Sequence, residues 1–369
     1  NGIIENHESL RRSLKADGYA FESDTGTEVV AHLLSREMKT ALGLRDAMNS
    51  LLDQLEGAYA IAVIDEGHPG RLMAARLGSP LVVGLGLGEN YIASDPQALR
   101  PVTDRFIFLE EGELVEITQD EISIFGHNKA AVESRAITLD ERHDAADKGS
   151  YRHFMEKEIF EQPAAIERTL AGRLSDKRVL TQAFGTSAES IFRKVEAIQI
   201  VACGSSYIAG SVAKYWFEEH AGLPCHVEIA SELRYRKSVV LPNTLLVTIS
   251  QSGETADTLA ALKNAKDENY LARLCICNVP NSSLVRESDL SLMLEAGLEI
   301  CVASTKAFTN QLVDLLLLVG AVGQYHGLDE DDHFELVNGL KYLPEIVKST
   351  LKLNSQISQM AESFVEKHH

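Results

Sequence analysis

The sequence predicts an α/β protein with a sheet-rich first part and, in its second part, a doubly wound parallel sheet flanked by helices. Short β-type runs separated by Gly or Pro are dense before residue 120, which indicates packed sheets rather than a helical bundle. From Ala197 onward, apolar strand-like runs alternate with helical spacers. Such alternation is typical of a parallel sheet that helices cover on both faces.

Length and charge limit the number of domains and the kinds of partner. The chain has 369 residues, of which 45% are hydrophobic and 24% are charged, so we expect two to three globular domains. The formal net charge of −19 argues against a nucleic-acid partner and against an anionic membrane, since both require a basic face. The most apolar stretch, residues 312–322, contains Asp314 and is too short to span a bilayer.

The cysteines are odd in number, scattered and mostly set in apolar runs; they are Cys203, Cys225, Cys275, Cys277 and Cys301. This usage is typical of reduced core residues in a cytoplasmic protein. Cys275 and Cys277 are not followed by a second ligand pair at a useful spacing, so they predict no zinc site. We expect neither a metal nor a cofactor.

The first part is predicted to contain three helices and then a series of strands. Helical patterns cover residues 8–17, a segment capped by Thr27 and continuing to Met38, and residues 44–55. The strand-like runs that follow are 58–65, 72–76, 81–84, 90–94, 106–109 and 113–118. Residues 131–148 are polar and charged, which predicts an interdomain linker.

The second part is predicted to begin with a helix over residues 151–163 that ends near Pro163. The predicted strands are 198–202, 226–229, 245–249, 274–277 and 290–293, with a further strand-like run at 298–302. A Leu-rich helix extends from Phe308 to about Gly323, and two more helices cover residues 334–369.

Three turns in the second part carry clustered hydroxyl and amide side chains, each between a strand-like run and a helical pattern. We call them the first turn (residues 203–206), the second turn (250–255) and the third turn (302–306). A helix N-terminus offers unpaired N–H groups and the positive end of the peptide dipole, which favours phosphate binding. An ordinary N-cap is the simpler interpretation of any one of them. Because ligands bind beyond the carboxyl ends of parallel strands, three such turns predict one shared anionic group.

The three turns resemble the phosphosugar-binding turns of sugar isomerase (SIS) domains. The matching segments are Cys203-Gly204-Ser205-Ser206, Ser250-Gln251-Ser252-Gly253-Glu254-Thr255 and Val302-Ala303-Ser304-Thr305-Lys306. The resemblance implies phosphate contacts from Ser206, Ser250, Gln251, Ser252 and Thr255, with Ser205, Val302 and Ser304 nearby. Their expected role is positioning rather than proton transfer. We interpret Glu254 and Lys306 as capping and helix-pairing residues.

The first part resembles the glutaminase domain of amidotransferases whose nucleophile is an N-terminal cysteine. The matching segments are residues 1–6, 57–59, 78–81, 84–90 and 93–95. In that family an Asn-Gly pair, here Asn1 and Gly2, supplies the oxyanion hole. The residues alone also allow a simple turn, since Asn-Gly is a favoured hairpin dipeptide. The resemblance implies an N-terminal-nucleophile fold of stacked sheets with helices.

The sequence departs from this family in two ways. The nucleophilic cysteine and an Arg-Trp segment precede the Asn-Gly pair in the family, and this chain opens abruptly at Asn1, so we expect a chain cut at both ends that is inactive alone. The family also has an aspartate at the position of Gly26, where it pairs with the α-amino group of glutamine. Its loss is expected to weaken glutamine binding by about 1.5–3 kcal/mol unless Asp24 substitutes.

Combined, the resemblances imply four regions and one reaction. The expected regions are a partial glutaminase domain (1–135), a linker with leading helices (136–188), a first SIS domain (189–329) and the leading helices of a truncated second SIS domain (330–369). Residues 151–163 match the segment that joins glutaminase and isomerase halves in sugar-phosphate amidotransferases. The implied reaction is amino transfer from glutamine to fructose 6-phosphate with isomerisation to glucosamine 6-phosphate, in a cytoplasmic homodimer.

Two alternatives stay open from the sequence. One is a diverged, ammonia-dependent sugar-phosphate isomerase or deaminase, which Gly26 motivates. The other is a non-catalytic SIS sensor of sugar phosphates; such a regulator would carry a basic helix-turn-helix, and the sequence shows none.

Overall fold

The computed structural model describes residues 2–138, 148–365 and 367. The chain divides into two compact units, Asn1–Arg142 and His143–His369.

In its described residues, the first unit contains two antiparallel sheets and three α-helices. One sheet has the order β1-β2-β3-β7-β8-β9 and the other the order β10-β6-β4-β5. The strands are β1 (Gly2–Ile4), β2 (Gly57–Ile64), β3 (Leu72–Leu77), β4 (Val82–Leu85), β5 (Asn90–Ala93), β6 (Arg105–Phe108), β7 (Leu114–Ile117), β8 (Ile122–Phe125), β9 (Ala131–Val132) and β10 (Ile137–Thr138). The helices are α1 (His7–Ala16), α2 (Gly26–Glu37) and α3 (Leu44–Leu52).

Alternating side chains place the six-stranded sheet between two apolar layers. Tyr59 of β2 belongs to the layer shared with the helices, together with Leu33 and Met48. The next residue, Ala60, belongs to the layer shared with the second sheet, which includes Val83. This period of two is what a strand buried on both faces requires. The predicted stacked sheets with helices are confirmed.

The second unit contains a five-stranded parallel sheet with the order β12-β11-β13-β14-β15. Its strands are β11 (Ala197–Ala202), β12 (Cys225–Ile229), β13 (Thr244–Ser250), β14 (Ala272–Cys277) and β15 (Leu290–Met293). The described helices are α4 (Phe154–Leu170), α5 (Ala188–Phe192), α6 (Gly204–Trp216), α7 (Ala230–Leu233), α8 (Ala256–Asn264), α9 (Ser283–Glu287), α10 (Lys306–Gly323), α11 (Glu330–Leu351) and α12 (Asn354–Glu362).

Helices cover both faces of this sheet, which confirms the predicted doubly wound architecture. Ile200 of β11 faces the core formed with α6 and α10, while its neighbour Val201 faces α7 and α8. Helix α10 has the length and hydropathy of a membrane-spanning helix, and it is longer than the apolar stretch read from the sequence. However, 78% of it is buried inside the protein, where it packs against α6 and α4. It is the central helix of this core.

Two predicted helix boundaries are wrong, for reasons of hydrogen bonding. Helix α2 is capped by Thr25 rather than Thr27, since the Thr25 side chain accepts a hydrogen bond from the N–H of Glu28. Helix α4 continues through Pro163 to Leu170. A proline leaves the carbonyl four residues earlier without its donor. Here the amide side chain of Gln162 donates to that carbonyl of Ile159 at 2.9 Å, which compensates for the missing bond.

Two further predictions need correction. Residues 298–302 do not form a strand, because the whole connecting segment 294–305 lacks regular secondary structure. The segment predicted as a polar linker, residues 131–148, contains the short strands β9 and β10. Residues 139–147 of that linker lie outside the described residues.

Candidate functional site

The candidate site of the second unit lies at the carboxyl ends of β11 and β13. These strands are neighbours, with Ala202 opposite Ile249. The chain leaves β11 toward β12 on one side and returns to β13 on the other. This reversal is the topological switch point, where ligands bind in open α/β sheets. The first and second turns follow these two strands and therefore lie side by side.

Hydroxyl groups shape the second turn from within. Ser250 is 2% exposed, and its Oγ lies 2.8 Å from Thr255 Oγ1. The same Oγ accepts a hydrogen bond from the N–H of Gly253 at 3.0 Å. Ser252 Oγ accepts one from the N–H of Glu254 at 3.2 Å. These side chains bend the backbone back on itself, which exposes the N-terminus of α8.

The second turn packs against the end of β14 and the residues that follow it. Gly253 has a φ of +69°, and a Cβ at this position would lie 2.1 Å from Ser282 Oγ and 2.6 Å from Cys277 Sγ. Only glycine fits both the conformation and the space. Burial raises the pKa of Cys277 to about 11, so its thiol stays neutral and serves packing. The N–H of Leu284 donates to Gly253 O at 3.1 Å, which fixes the turn on this platform.

The helices that begin at the first and second turns have no capping side chain. Neither Cys203, the N-cap of α6, nor Thr255, the N-cap of α8, makes a side-chain capping bond. Within the described ranges, no acceptor is paired with the N–H groups of Ser205, Ser206 or Ala256. Other helices such as α3 also start uncapped. What distinguishes this site is that two uncapped N-termini meet at the switch point, where their N–H groups and dipoles favour an anion.

The third turn differs because it already contains an anion from the protein itself. The Glu299 carboxylate accepts hydrogen bonds from the N–H groups of Thr305 at 2.8 Å and Ala307 at 3.1 Å. Ser304 donates its hydroxyl to the same carboxylate at 2.9 Å. Val302 is fully exposed beside it. The prediction of a third strand end is wrong, because residues 294–305 form no strand. The N-terminus of α10 is occupied by Glu299.

Glu254 and Lys306 both pair with distant elements. Glu254 accepts a hydrogen bond from the N–H of Ser283 at 2.8 Å, so it caps α9 and not its own helix. Lys306 is 3% exposed and donates to Glu161 of α4 at 2.6 Å. The predicted capping role of Glu254 thus applies to another helix, and Lys306 ties α10 to α4.

In the first unit, a cavity of about 930 Å³ includes two positions that the sequence singled out, Gly2 and Gly26. Gly2 lies in β1 with a φ of +108°, and a Cβ there would lie 2.0 Å from Ala58 O, so glycine is required. Its predicted oxyanion-hole partner, Asn1, lies outside the described residues. At Gly26, a Cβ would lie 3.8 Å from the Ile4 side chain, which is an ordinary contact.

Asp24 is not among the residues that line this cavity. Its side chain is fully exposed, and Arg11 lies 3.6 Å from it. The surrounding turn is held by Glu28, which accepts hydrogen bonds from the Ser23 hydroxyl and from the N–H groups of Glu22 and Ser23. These bonds, first that of the Ser23 hydroxyl, lower the pKa of Glu28 to about 2. In this arrangement Asp24 does not take the place of an acid at position 26.

Comparisons with known proteins agree with this geometry. Residues 191–321 match the SIS domain family, and residues 1–101 match the glutamine amidotransferase domain family. The chain contains a SIS domain and a glutamine amidotransferase region.

Relatives of known name match across the whole chain. Glutamine--fructose-6-phosphate aminotransferase [isomerizing] of Salmonella typhi is 56% identical over 369 residues, which is 100% of this chain and 61% of that protein. The enzyme of the same name from Pseudomonas putida is 56% identical over 370 residues, with the same coverage. The chain thus spans about three fifths of the length of these relatives.

A solved structure supports the fold of the second unit. The C-terminal domain of glucosamine-fructose-6-phosphate aminotransferase from Francisella tularensis aligns with a TM-score of 0.59 and 49% identity. The alignment covers 61% of this chain and 63% of that one. These similarities confirm the SIS domain and the glutamine amidotransferase region that the sequence predicted.

Proposed function

We propose that this chain holds the phosphate-binding half of the sugar site of a glutamine–fructose-6-phosphate aminotransferase. The complete protein would transfer the amide nitrogen of glutamine to fructose 6-phosphate and isomerise the product to glucosamine 6-phosphate. The observation that carries the proposal is the meeting of two uncapped helix N-termini, those of α6 and α8, at the switch point of a SIS sheet.

In this proposal each turn has a distinct task. The phosphate binds the donors at the switch point, which are Ser206, Ser250, Gln251, Ser252 and Thr255. Ser205, Val302 and Ser304 lie toward the sugar. The Glu299 carboxylate disfavours a second anion at the N-terminus of α10, so the third turn is left for neutral sugar hydroxyls. Such division of charge would fix the direction in which the substrate binds.

The regions 1–135, 136–188, 189–329 and 330–369 are part of the same proposal. Helices α11 and α12 carry exposed apolar side chains, which supports their assignment as leading helices of a second SIS domain; they include Tyr342, Ile346, Ile357 and Met360. We also propose a cytoplasmic homodimer. The free thiols of all five cysteines support a reducing compartment.

Calorimetry on this chain tests the phosphate site. Fructose 6-phosphate should bind weakly, inorganic phosphate should compete with it, and fructose should not bind. The reason is that charge-assisted bonds to N–H and hydroxyl donors supply most of the affinity. Absence of any heat with fructose 6-phosphate, or binding that phosphate does not compete for, would refute the proposed site.

A diverged enzyme that uses ammonia is the second candidate, and the cavity of the first unit favours it. Gly26 lines this cavity, whereas Asp24 is fully exposed and does not line it. The relatives are named as enzymes, which favours either catalytic reading over a sensor.

Gly26→Asp in a full-length protein separates the two enzyme candidates. A Cβ at this position makes only ordinary contacts, the nearest at 3.8 Å from Ile4, and we expect the new carboxylate to pair with the glutamine α-amino group. We expect the KM for glutamine to fall about tenfold, the equivalent of one charge-assisted contact, with ammonia-dependent synthesis unchanged. Steady-state kinetics with each nitrogen donor measures this, and Asp24→Ala is the control, expected to have little effect. If Gly26→Asp changes nothing while Asp24→Ala abolishes glutamine use, Asp24 already binds the amine.

A further inference from the structure

The connecting segment 294–305 carries Val302 and Ser304 but has no regular secondary structure. A segment of this kind presents its residues at a fixed place only when other groups bind its backbone. The contacts that hold this segment therefore decide the geometry of the third turn.

Helix α4, which precedes the matched SIS residues 191–321, supplies several of these contacts. At the start of the segment, Arg168 donates to the carbonyl oxygens of Glu295 at 3.2 Å and Ala296 at 3.3 Å. Nearly three turns earlier on the helix, Glu158 Oε1 accepts hydrogen bonds from the N–H groups of Ile300 at 2.6 Å and Cys301 at 3.1 Å. Glu158 thus binds the two residues immediately before Val302.

We propose that Glu158 is a positioning residue for the sugar site, and that its carboxylate sets the place of Val302 and Ser304. The inference rests on the proposed function, because it assumes that the third turn contacts the sugar. Glu158 itself would touch no substrate.

The burial of Glu158 is unfavourable for folding. The residue is 2% exposed, and its second oxygen, Oε2, is buried without a hydrogen-bond partner among the described residues. An unsatisfied buried acceptor is unfavourable for folding. Other residues also hold α4 in place, since Ile166 is fully buried in the core and Glu161 binds Lys306 of α10. A role in holding the 300–301 backbone explains why a carboxylate lies here.

Glu299 completes the arrangement on the other side of Val302. Its carboxylate binds the N–H groups of Thr305 and Ala307, so two carboxylates hold the backbone before and after the exposed Val302. Glu299 belongs to the segment itself. Glu158 belongs to a separate helix, α4, and binds the backbone immediately before Val302, whereas Arg168 and Glu161 of the same helix bind the start of the segment and Lys306 at its end.

Hydrogen exchange tests the contact directly and without any ligand. In Glu158→Ala, the amides of Ile300 and Cys301 should exchange about tenfold faster or more, since local opening is no longer opposed. Glu158→Gln keeps an acceptor oxygen and should restore most of the protection. Glu167→Gln, an exposed glutamate on the same helix, is the matched control and should change nothing. Unchanged exchange in Glu158→Ala would overturn the proposed contact.

Ligand binding then tests the positioning role. Glu158→Ala should weaken fructose 6-phosphate binding about tenfold while inorganic phosphate binds as in the parent, because phosphate alone needs only the first and second turns. Glu158→Gln should recover much of the sugar-phosphate affinity. Equal affinity of parent and Glu158→Ala for fructose 6-phosphate would overturn the role, and so would an equal loss for both ligands. If Glu158→Ala does not fold, Glu158→Asp, shorter by one methylene, replaces it in both measurements.

The two measurements also distinguish the failure of this inference from that of the proposed function. If the parent binds neither ligand, the phosphate site is wrong, and with it the role of Glu158 in sugar binding. The exchange experiment still decides whether Glu158 holds the turn.

Discussion

Alanine in place of Gly253 is expected to remove detectable fructose 6-phosphate binding. The added Cβ would lie 2.1 Å from Ser282 Oγ and 2.6 Å from Cys277 Sγ, on a backbone with a φ of +69°. The second turn must then move away from Ser282 and Cys277, which displaces the donors at the N-terminus of α8. Overpacking and strain together should lower the free energy of unfolding by about 2–4 kcal/mol. Calorimetry and urea unfolding measure the two effects.

Gly222→Ala is the matched control for Gly253→Ala. Gly222 has nearly the same φ, +65°, but a Cβ there meets no atom within 4 Å. We expect the free energy of unfolding to fall by about 1 kcal/mol from the backbone conformation alone, and ligand binding to stay unchanged. Parental affinity in Gly253→Ala would mean that the second turn does not hold the phosphate.

Arg173→Met is expected to destabilise the second unit, and its cost should rise with pH. Arg173 lies 2.9 Å from Oδ1 of Asp314, which is fully buried and whose Oδ2 has no partner in the described structure. Removing the cation leaves a buried carboxyl uncompensated, which typically costs about 3–5 kcal/mol once that group is ionised. Asp314→Asn in the same background should recover most of this loss.

The pH dependence follows from the carboxyl group. Burial, opposed by Arg173, raises the pKa of Asp314 from 3.8 to about 8. Between these values the folded protein keeps a proton that the unfolded chain has released, so this group lowers stability as pH rises from about 4 to 8. In Arg173→Met the carboxyl stays protonated at pH 5, and the deficit should be small there and largest at pH 9. Urea unfolding at both values checks this; an equal deficit at both would contradict it.

The strands of the second unit could be predicted because their signal is local. Residues 245–249 and 274–277 are apolar runs between helical spacers, and both lie inside observed strands. The order of the strands has no such local signal. That the first and second turns lie side by side follows from the pairing of β11 with β13, which joins residues about fifty positions apart.

The third turn was predicted less well because its structure depends on distant residues. The apolar run 298–302 looks like a strand, yet the N–H groups of Ile300 and Cys301 bind Glu158, which is about 140 positions earlier in the chain. The backbone near Glu299 and Pro163 was also predicted incompletely for this reason. The Glu299 carboxylate accepts the hydrogen bond of the Thr305 N–H, and the Gln162 amide donates to the carbonyl of Ile159. Hydrophobic periodicity and helix propensity do not reveal such side-chain bonds to the backbone.

Backbone amide shifts during titration with inorganic phosphate test the central claim most directly. In ¹H–¹⁵N NMR spectra of this chain, the amides of the second turn and of the N-termini of α6 and α8 should shift together with one dissociation constant; they are Ser205, Ser206, Ser252, Thr255 and Ala256. Thr305 and Ala307 should not move, since Glu299 occupies their N–H groups. Shifts centred on Thr305 and Ala307, or none at either place at saturating phosphate, would contradict a phosphate site at the switch point.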